Sequence, residues 1–330
     1  RERMRNFFFV VMFSVIALSG CAGQLPENGD GGEPLVQCGD VASREHLNVL
    51  TVNLLFSEIE TRDQRLDAIA EFAAGRPVDV ILLQEVVGGV LVDTANSALD
   101  LQGKLRARGG EYDVHTAFEV GLPGLLAVAN AVLSRCEIDF QMVKRLPRAS
   151  ELKFQSRDIK LPRNVMMTRL NIPDFGKLNV YNTHLCANCA ADELNAQVDV
   201  LLRFIDDVEE FFPQDNPVIL GGDFNIDRFR VDPFEQRPFY DRILDADFTD
   251  GYAEDRILED LCEDADVADT HCTVGVSSLD VGDRPRRIDY IFVNEVDDVR
   301  ESRVVFNPLV DPSQPTVSDH AGVFVSIELP

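Results

Sequence analysis

The chain has 330 residues, 45% of them apolar, with 57 acidic against 31 basic residues and a formal net charge of −26. That supports a sizeable core, in one large domain or two ordinary ones. So acidic a surface repels polyanions and disfavours tight non-specific DNA binding, which depends on counterion release by Lys and Arg. After the first twenty residues no stretch reaches the roughly eighteen uninterrupted apolar residues of a membrane span.

At the N-terminus, Arg1, Arg3 and Arg5 precede an apolar run from Phe7 to Leu18, followed by Ser19-Gly20-Cys21. A basic start, a short apolar run and small residues at a cut site describe an export signal. The ending Leu18-Ser19-Gly20-Cys21 resembles a bacterial lipobox. The expectation is that residues 1–20 are removed and Cys21 carries the lipid, anchoring the protein outside the cytoplasm at an outer membrane or cell surface. A short membrane anchor or an ordinary signal peptide is the competing reading. Residues 26–34, Pro-Glu-Asn-Gly-Asp-Gly-Gly-Glu-Pro, are too polar and Gly-rich to pack. Residues 21–40 are therefore expected to be a tether, and residues 41–330 one domain.

Beyond the tether, residues 47–56 form a strand-like run. Residues 61–75 predict a helix, with Thr61 and Gln64 in a capping-box pattern and Gly75 at its end. Residues 78–83 read as a buried strand ending in Gln84-Glu85. A second helix is expected over 93–108, closed by Gly109-Gly110. Strands are expected over 125–133, 165–172 and 178–183. A long amphipathic helix follows at 192–212, burying Leu194, Val198, Leu201, Leu202, Ile205 and Val208. A short strand at 217–220 runs into Gly221-Gly222-Asp223. Residues 245–283 look acidic and irregular, and strands at 288–293 and 323–329 close the set. Strands outnumber helices, which argues for a mixed α/β core drawing on both halves of the chain.

Charge is uneven along the chain. Lys144, Arg145, Arg148, Lys153, Arg157, Lys160, Arg163 and Arg169 cluster against only Glu151 and Asp158. This is a solvated basic loop or a landing patch for a phosphate-bearing substrate. No long apolar, aromatic-rich hairpin announces attack on membrane lipid.

Of seven cysteines, Cys21 belongs to the leader motif. The other six, in an exported protein, suggest disulfides. Cys186 and Cys189, and Cys262 and Cys272, are near enough to pair locally, leaving Cys38 with Cys136. The rival is a zinc site of Cys186, Cys189, His271 and Cys272.

Polar residues recur where apolar runs end: Asn53, Glu85, Asn182 and His184, Asp223 and Asn225, Asp289, then Ser318-Asp319-His320. Beside buried strands such groups cost energy unless paired or metal-bound. Singly each is weak: Gln-Glu suits an exposed edge, and Gly-Gly-Asp suits a turn. Together they supply hard oxygen ligands and bases, amides for phosphate oxygens, and two imidazoles for protons. That is a kit for metal-assisted attack of water on phosphorus.

The ordered set Asn53, Gln84-Glu85, Asn182-Thr183-His184, Gly221-Gly222-Asp223-Phe224-Asn225, Ile288-Asp289-Tyr290 and Ser318-Asp319-His320 resembles the endonuclease/exonuclease/phosphatase superfamily. That superfamily includes DNase I-like nucleases, neutral sphingomyelinases and inositol-phosphate phosphatases. The resemblance spans residues 47–329. It implies an α/β four-layer sandwich, two packed mixed β-sheets flanked by helices. It implies a phosphodiesterase using Mg²⁺, with Mn²⁺ or Ca²⁺ as substitutes, and a monomer. Its substrates would be nucleic acid, phospholipid headgroups or small phosphoesters. Glu85 would bind the metal with Asn53 and Asp319. His184, Asp223, Asn225, Asp289 and His320 would be catalytic, and Asn182, Asn225 and His184 would bind substrate. The general base is either Asp223 or His320 backed by Asp289. Asn130 and Arg163 are candidates for the substrate-side position that the family often fills with Arg or Tyr. The carboxylate partner of His184 is not visible in the sequence. Two readings compete: an inactive binding protein on this fold, and a zinc-dependent protein.

Overall fold

The structure, a computed structural model, describes residues 38, 46–154, 157–213, 217–253, 271–279, 284–294 and 299–329. The expected leader, Cys21 and Cys262 lie outside them. In chain order come β1 (His46–Asn53), α1 (Arg62–Gly75), β2 (Val80–Gly88), a 3₁₀ turn (Val90–Val92) and α2 (Ser97–Arg106). Then follow β3 (Asp113–Leu122), β4 (Leu126–Ser134), β5 (Glu137–Phe154), β6 (Arg157–Ile172), β7 (Gly176–His184) and α3 (Ala191–Phe211). The last are β8 (Ile219–Asp223), α4 (Arg237–Leu244), β9 (Phe248–Asp250), β10 (Asp289–Asn294), β11 (Val299–Val305) and β12 (Gly322–Glu328).

The strands form two six-stranded mixed sheets, ordered β11-β12-β1-β2-β4-β3 and β5-β6-β7-β8-β10-β9. Each holds one parallel pair, β1–β2 and β7–β8. Parallel neighbours need a crossover, supplied by α1 and α3. Strand burial explains the layering. On β1, Leu47 and Val49 join a core shared with Met166, Val180, Ile219 and Ile291 of the second sheet. Leu50 and Val52 point the other way, onto Leu66 and Ile69 of α1 and Leu101 of α2. On the far side, Leu220 and Phe292 pack on Leu194, Leu201 and Ile243 of α3 and α4. Strands buried on both faces read as continuous apolar runs, which is why they stood out in the sequence. The helix–sheet–sheet–helix order is the expected four-layer sandwich.

Several local expectations need correction. Thr61 makes no side-chain cap on α1. The second helix starts at Ser97, not Asp93: Asp93 sits at φ 51°, and Asn96 Oδ1 accepts from Ala98 N at 2.9 Å. The basic cluster is no loop. It lies on the β5–β6 hairpin, whose strands have 18 and 16 residues. Three register shifts, at Ile138/Phe140, Leu146/Ala149 and Ser150/Leu152, break its alternation and hide it from a period-two reading. Glu193 ties this hairpin to α3. Its carboxylate accepts from Ser150 N at 3.1 Å, Ser150 Oγ at 3.0 Å and Ala190 N at 3.3 Å, and pairs with Lys160 at 2.9 Å.

Cys38 is bonded to Cys136, and Cys186 to Cys189. Cys272 is also disulfide-bonded. The zinc alternative therefore fails, because its three sulfurs are not free thiolates. His271 is buried, and desolvation followed by the charges of Arg287 and Arg228 holds it down to about 4, so it stays neutral.

Candidate active site

Strand register assembles the site. His184 lies directly opposite Asp223 on the parallel β7–β8 pair, and Asp223 directly opposite Asp289 on the antiparallel β8–β10 pair. One row across three strands thus carries an imidazole and two carboxylates. The two glycines before Asp223 permit this. A Cβ on Gly222, at φ 138°, would lie 2.0 Å from Thr183 O, and one on Gly221 would lie 2.5 Å from Leu82 of the opposite sheet. Only glycine lets β8 approach both neighbours this closely.

Asp223 is the hub. Its Oδ2 accepts from Asn53 Nδ2 at 3.1 Å and lies 3.4 Å from His184 Nε2 and 3.8 Å from His320 Nε2. Its Oδ1 accepts from Asn225 N at 2.9 Å. Burial, then the facing Asp289, push its carboxyl up to about 7; His320 and Asn53 oppose them. His320 Nδ1 lies 2.8 Å from Asp289 Oδ2. Burial alone would lower this ring's pKa, but Asp289 and Asp223 raise it well above the ordinary value. An imidazolium with Nδ1 on Asp289 presents its Nε2–H to Asp223.

His184 is arranged the opposite way. Arg163 Nη1 lies 2.8 Å from its Nδ1. Guanidinium can only donate, so Nδ1 accepts and the ring proton sits on Nε2, toward Asp223. Burial, followed by the charges of Arg163 and His320, holds His184 well below its usual pKa. Arg163 is held in turn by both oxygens of Glu151, at 3.0 and 2.5 Å, with Glu119 at 3.6 Å. Glu119, pushed up to about 8 by burial against the pull of Arg163, stands 4.0 Å from His184 Nδ1. Arg163 and Glu119 are the ionisable neighbours of His184 that the sequence did not pair with it.

Two expected residues have different work. Asn182 is fully buried; its amide donates to Leu83 O and Ala131 O at 3.0 and 2.8 Å, and its Oδ1 accepts from Gln84 Nε2 at 2.7 Å. It bridges the two sheets, and with both amide protons used it has no donor left for a phosphate oxygen. Asn130 is buried on Glu119 and Asn164, each at 3.1 Å, not on a substrate face. The side chain of Asn225 donates to Leu185 O at 3.1 Å, leaving its Oδ1 as the free end.

Glu85 reaches the site through a β-bulge. Leu83 pairs with Ala131 and Val86 with Ala129, so Gln84 and Glu85 together oppose one residue. Gln84 turns inward to Thr51 and Asn182; Glu85, at φ 55°, turns to the opening. Its Oε2 accepts from Phe56 N at 2.9 Å. Burial, then the charge of Asp319, push its carboxyl up. Asp319 accepts from Ser318 Oγ at 3.0 Å. Among the described residues no cationic side chain is hydrogen-bonded to either carboxylate. Two repelling, half-open hard-oxygen donors, with Asn53 close by, fit a small divalent cation, which takes one or two carboxylates and keeps its waters. Ligand atoms of Asp223, Asp289 and His320 also lie within 4.8 Å of one another. In that group His320 Nδ1 and Asp289 Oδ2 are already paired with each other at 2.8 Å, so they are less free to ligate.

Two packed mixed sheets thus set a strand-end row of His, Asp and Asp, an acid–base centre, beside hard-oxygen donors. The chain belongs to the endonuclease/exonuclease/phosphatase family, whose model matches residues 50–320. None of the curated proteins matches the chain. Several solved structures share its fold. A family protein from Leptotrichia buccalis C-1013-b is 24% identical, with TM-score 0.60 over 86% of this chain and 99% of that one. A mannosyl-6-phosphatase from Bacteroides thetaiotaomicron VPI-5482 is 20% identical, with TM-score 0.59, covering 86% and 99%. The human Nocturnin catalytic domain with bound sulfate is 16% identical, with TM-score 0.57, covering 87% and 95%.

Proposed function

We propose that this chain is a Mg²⁺-dependent phosphodiesterase, exported and lipid-anchored through Cys21. The observation that carries the chemistry is the His184–Asp223–Asp289 row, closed by His320, with Glu85 near enough to feel the charges of His320 and Arg163. Glu85 and Asp319, with Asn53, would hold the cation, whose charge offsets that building on the phosphoryl oxygens. Asp223 Oδ2 takes the proton of the attacking water. It is the acceptor on which Asn53, His184 and His320 converge, and Asn225 N fixes its other oxygen. His184 Nε2–H donates to a phosphoryl oxygen, since Arg163 occupies its other nitrogen. Asp289 keeps His320 oriented with Nε2–H toward the same centre, and that proton is available to the leaving oxygen.

The test is a panel of nucleic acid, sphingomyelin and a generic phosphodiester, each with Mg²⁺ and with EDTA. Turnover of at least one substrate that EDTA abolishes and Mg²⁺ restores is expected. No turnover on any, or turnover indifferent to EDTA, contradicts the reading. Export rests on the Leu18-Ser19-Gly20-Cys21 motif. Cys21→Ser should remain unprocessed, and normal recovery of that variant in the membrane fraction would remove the anchor.

A further inference from the structure

Beside the catalytic row lies a cavity of about 250 Å³. Its walls are apolar: Phe56, Val120, Val128, Leu161 and Pro162. Val120, Val128 and Leu161 form one small cluster, joined by Phe56 and Ile159, between the β3–β4 edge and the β5–β6 hairpin. Ala187 and Asn188 form another wall, on the loop closed by the Cys186–Cys189 disulfide. Ala187 N donates to Glu151 Oε2 at 3.1 Å, which pins that loop to the hairpin. The cavity is thus built from a bulged sheet edge, a hairpin and a cross-linked loop, and is formed in advance.

Two charged residues place it. Glu85, the proposed metal ligand, borders the cavity, and so does Arg163, which donates to His184. A phosphate seated between Glu85 and His184 therefore carries its ester substituent over this opening. Charge then restricts the substituent. Among the described residues Arg163 is the one basic residue lining the cavity, and its charge is already taken up by Glu151. Glu151 is spent on Arg163, and Glu85 on the proposed cation, so the lining offers no unpaired charge. A second phosphate or a carboxylate entering here would lose its hydration with no free cation among the described lining residues in return. An uncharged ring would shed apolar surface into apolar walls. An apolar cavity of roughly 150 Å³ admits benzene, so the space suffices for one ring or a branched alkyl group.

We infer that this cavity is a specificity subsite for an uncharged aryl or branched-alkyl substituent esterified to the phosphate, and that it selects against substrates bearing further anionic groups there. The inference rests on the hydrolase reading above and narrows its substrate class.

Non-hydrolysable phosphonates test it without depending on turnover. Binding of methylphosphonate, phenylphosphonate and 4-carboxyphenylphosphonate to the full chain is measured by calorimetry with Mg²⁺ present. Phenylphosphonate should bind roughly ten- to a hundredfold more tightly than methylphosphonate. The carboxylated compound should lose most of that gain. Val120→Phe, which fills the cavity, and Leu161→Ser, which makes its wall polar, should each abolish the phenyl preference and leave methylphosphonate binding unchanged. Two variants on different strands guard against one failing to fold. Equal binding of methyl and phenyl compounds, or a phenyl preference that survives in the folded variants, overturns the subsite alone. No binding by any phosphonate overturns the hydrolase reading and the subsite with it.

Discussion

Each sheet contains one parallel strand pair joined by a crossover helix, β1–α1–β2 in the first and β7–α3–β8 in the second, and both pairs deliver polar residues to the site. In the second pair the terminal residues stay in register, His184 against Asp223, and the row continues to Asp289 on β10. The protein itself supplies donors to Asp223 from Asn53 and Asn225, and Arg163 occupies one nitrogen of His184. In the first pair Asn53 faces Gln84 in register, but the bulge sends Gln84 into the core and Glu85 to the opening. There Asp319 raises the cost of charging Glu85, with no cationic side chain hydrogen-bonded to either among the described residues. Two similar supersecondary units thus end differently: one in a completed proton-holding network, the other in carboxylates suited to a cation.

If that division holds, the two ends fail differently. The largest effect is expected at the second. Asp223→Asn keeps the side chain's size but cannot take a proton, and it turns one of two accepting oxygens into a donor. Its kcat should fall about a hundred- to ten-thousandfold, at every Mg²⁺ concentration, with the fold intact by circular dichroism. Near-normal kcat in that variant would remove Asp223 as the base and return the role to His320 with Asp289.

A smaller loss is expected from Arg163→Lys. The charge stays between Glu119 and Glu151, but an ammonium cannot grip both oxygens of Glu151 and also reach His184 Nδ1 in the same fixed geometry. The proton on His184 Nε2 would no longer be fixed by its neighbour. Losing a residue that orients a site group costs roughly ten- to a hundredfold. That loss should appear in kcat, while the Mg²⁺ concentration giving half-maximal rate stays unchanged. A shifted Mg²⁺ requirement with unchanged kcat would mean that Arg163 serves the metal end instead.

How legible this division was in the sequence depends on range. The strand-end residues stood out because doubly buried strands are unbroken apolar runs, so Asn53, Glu85, Asp223 and Asp289 interrupt a clear pattern. Three kinds of outcome were not legible there. Glu119, Asn130, Asn164 and Arg163 meet only once β3, β4, β6 and β7 are paired, and no local spacing encodes that. The β5–β6 hairpin was hidden because bulges break its alternation and its charges mimic a loop. Asn182 has the chemistry of a phosphate contact, yet three hydrogen bonds to Leu83, Ala131 and Gln84 turn it into a bridge between sheets. Residue type gives the repertoire, and only the register says which groups remain free.

The division of labour between the two strand ends is tested most directly by titrating Mg²⁺ against initial rate for Glu85→Gln beside Asp223→Asn, on whichever phosphodiester the panel identifies. Glu85→Gln keeps the side chain's size and loses its charge, so its Mg²⁺ requirement should rise while saturating Mg²⁺ restores much of the rate. Asp223→Asn should plateau low at any Mg²⁺ concentration. A Glu85→Gln titration that overlays the unmodified protein, or an Asp223→Asn variant rescued by Mg²⁺, would contradict the account.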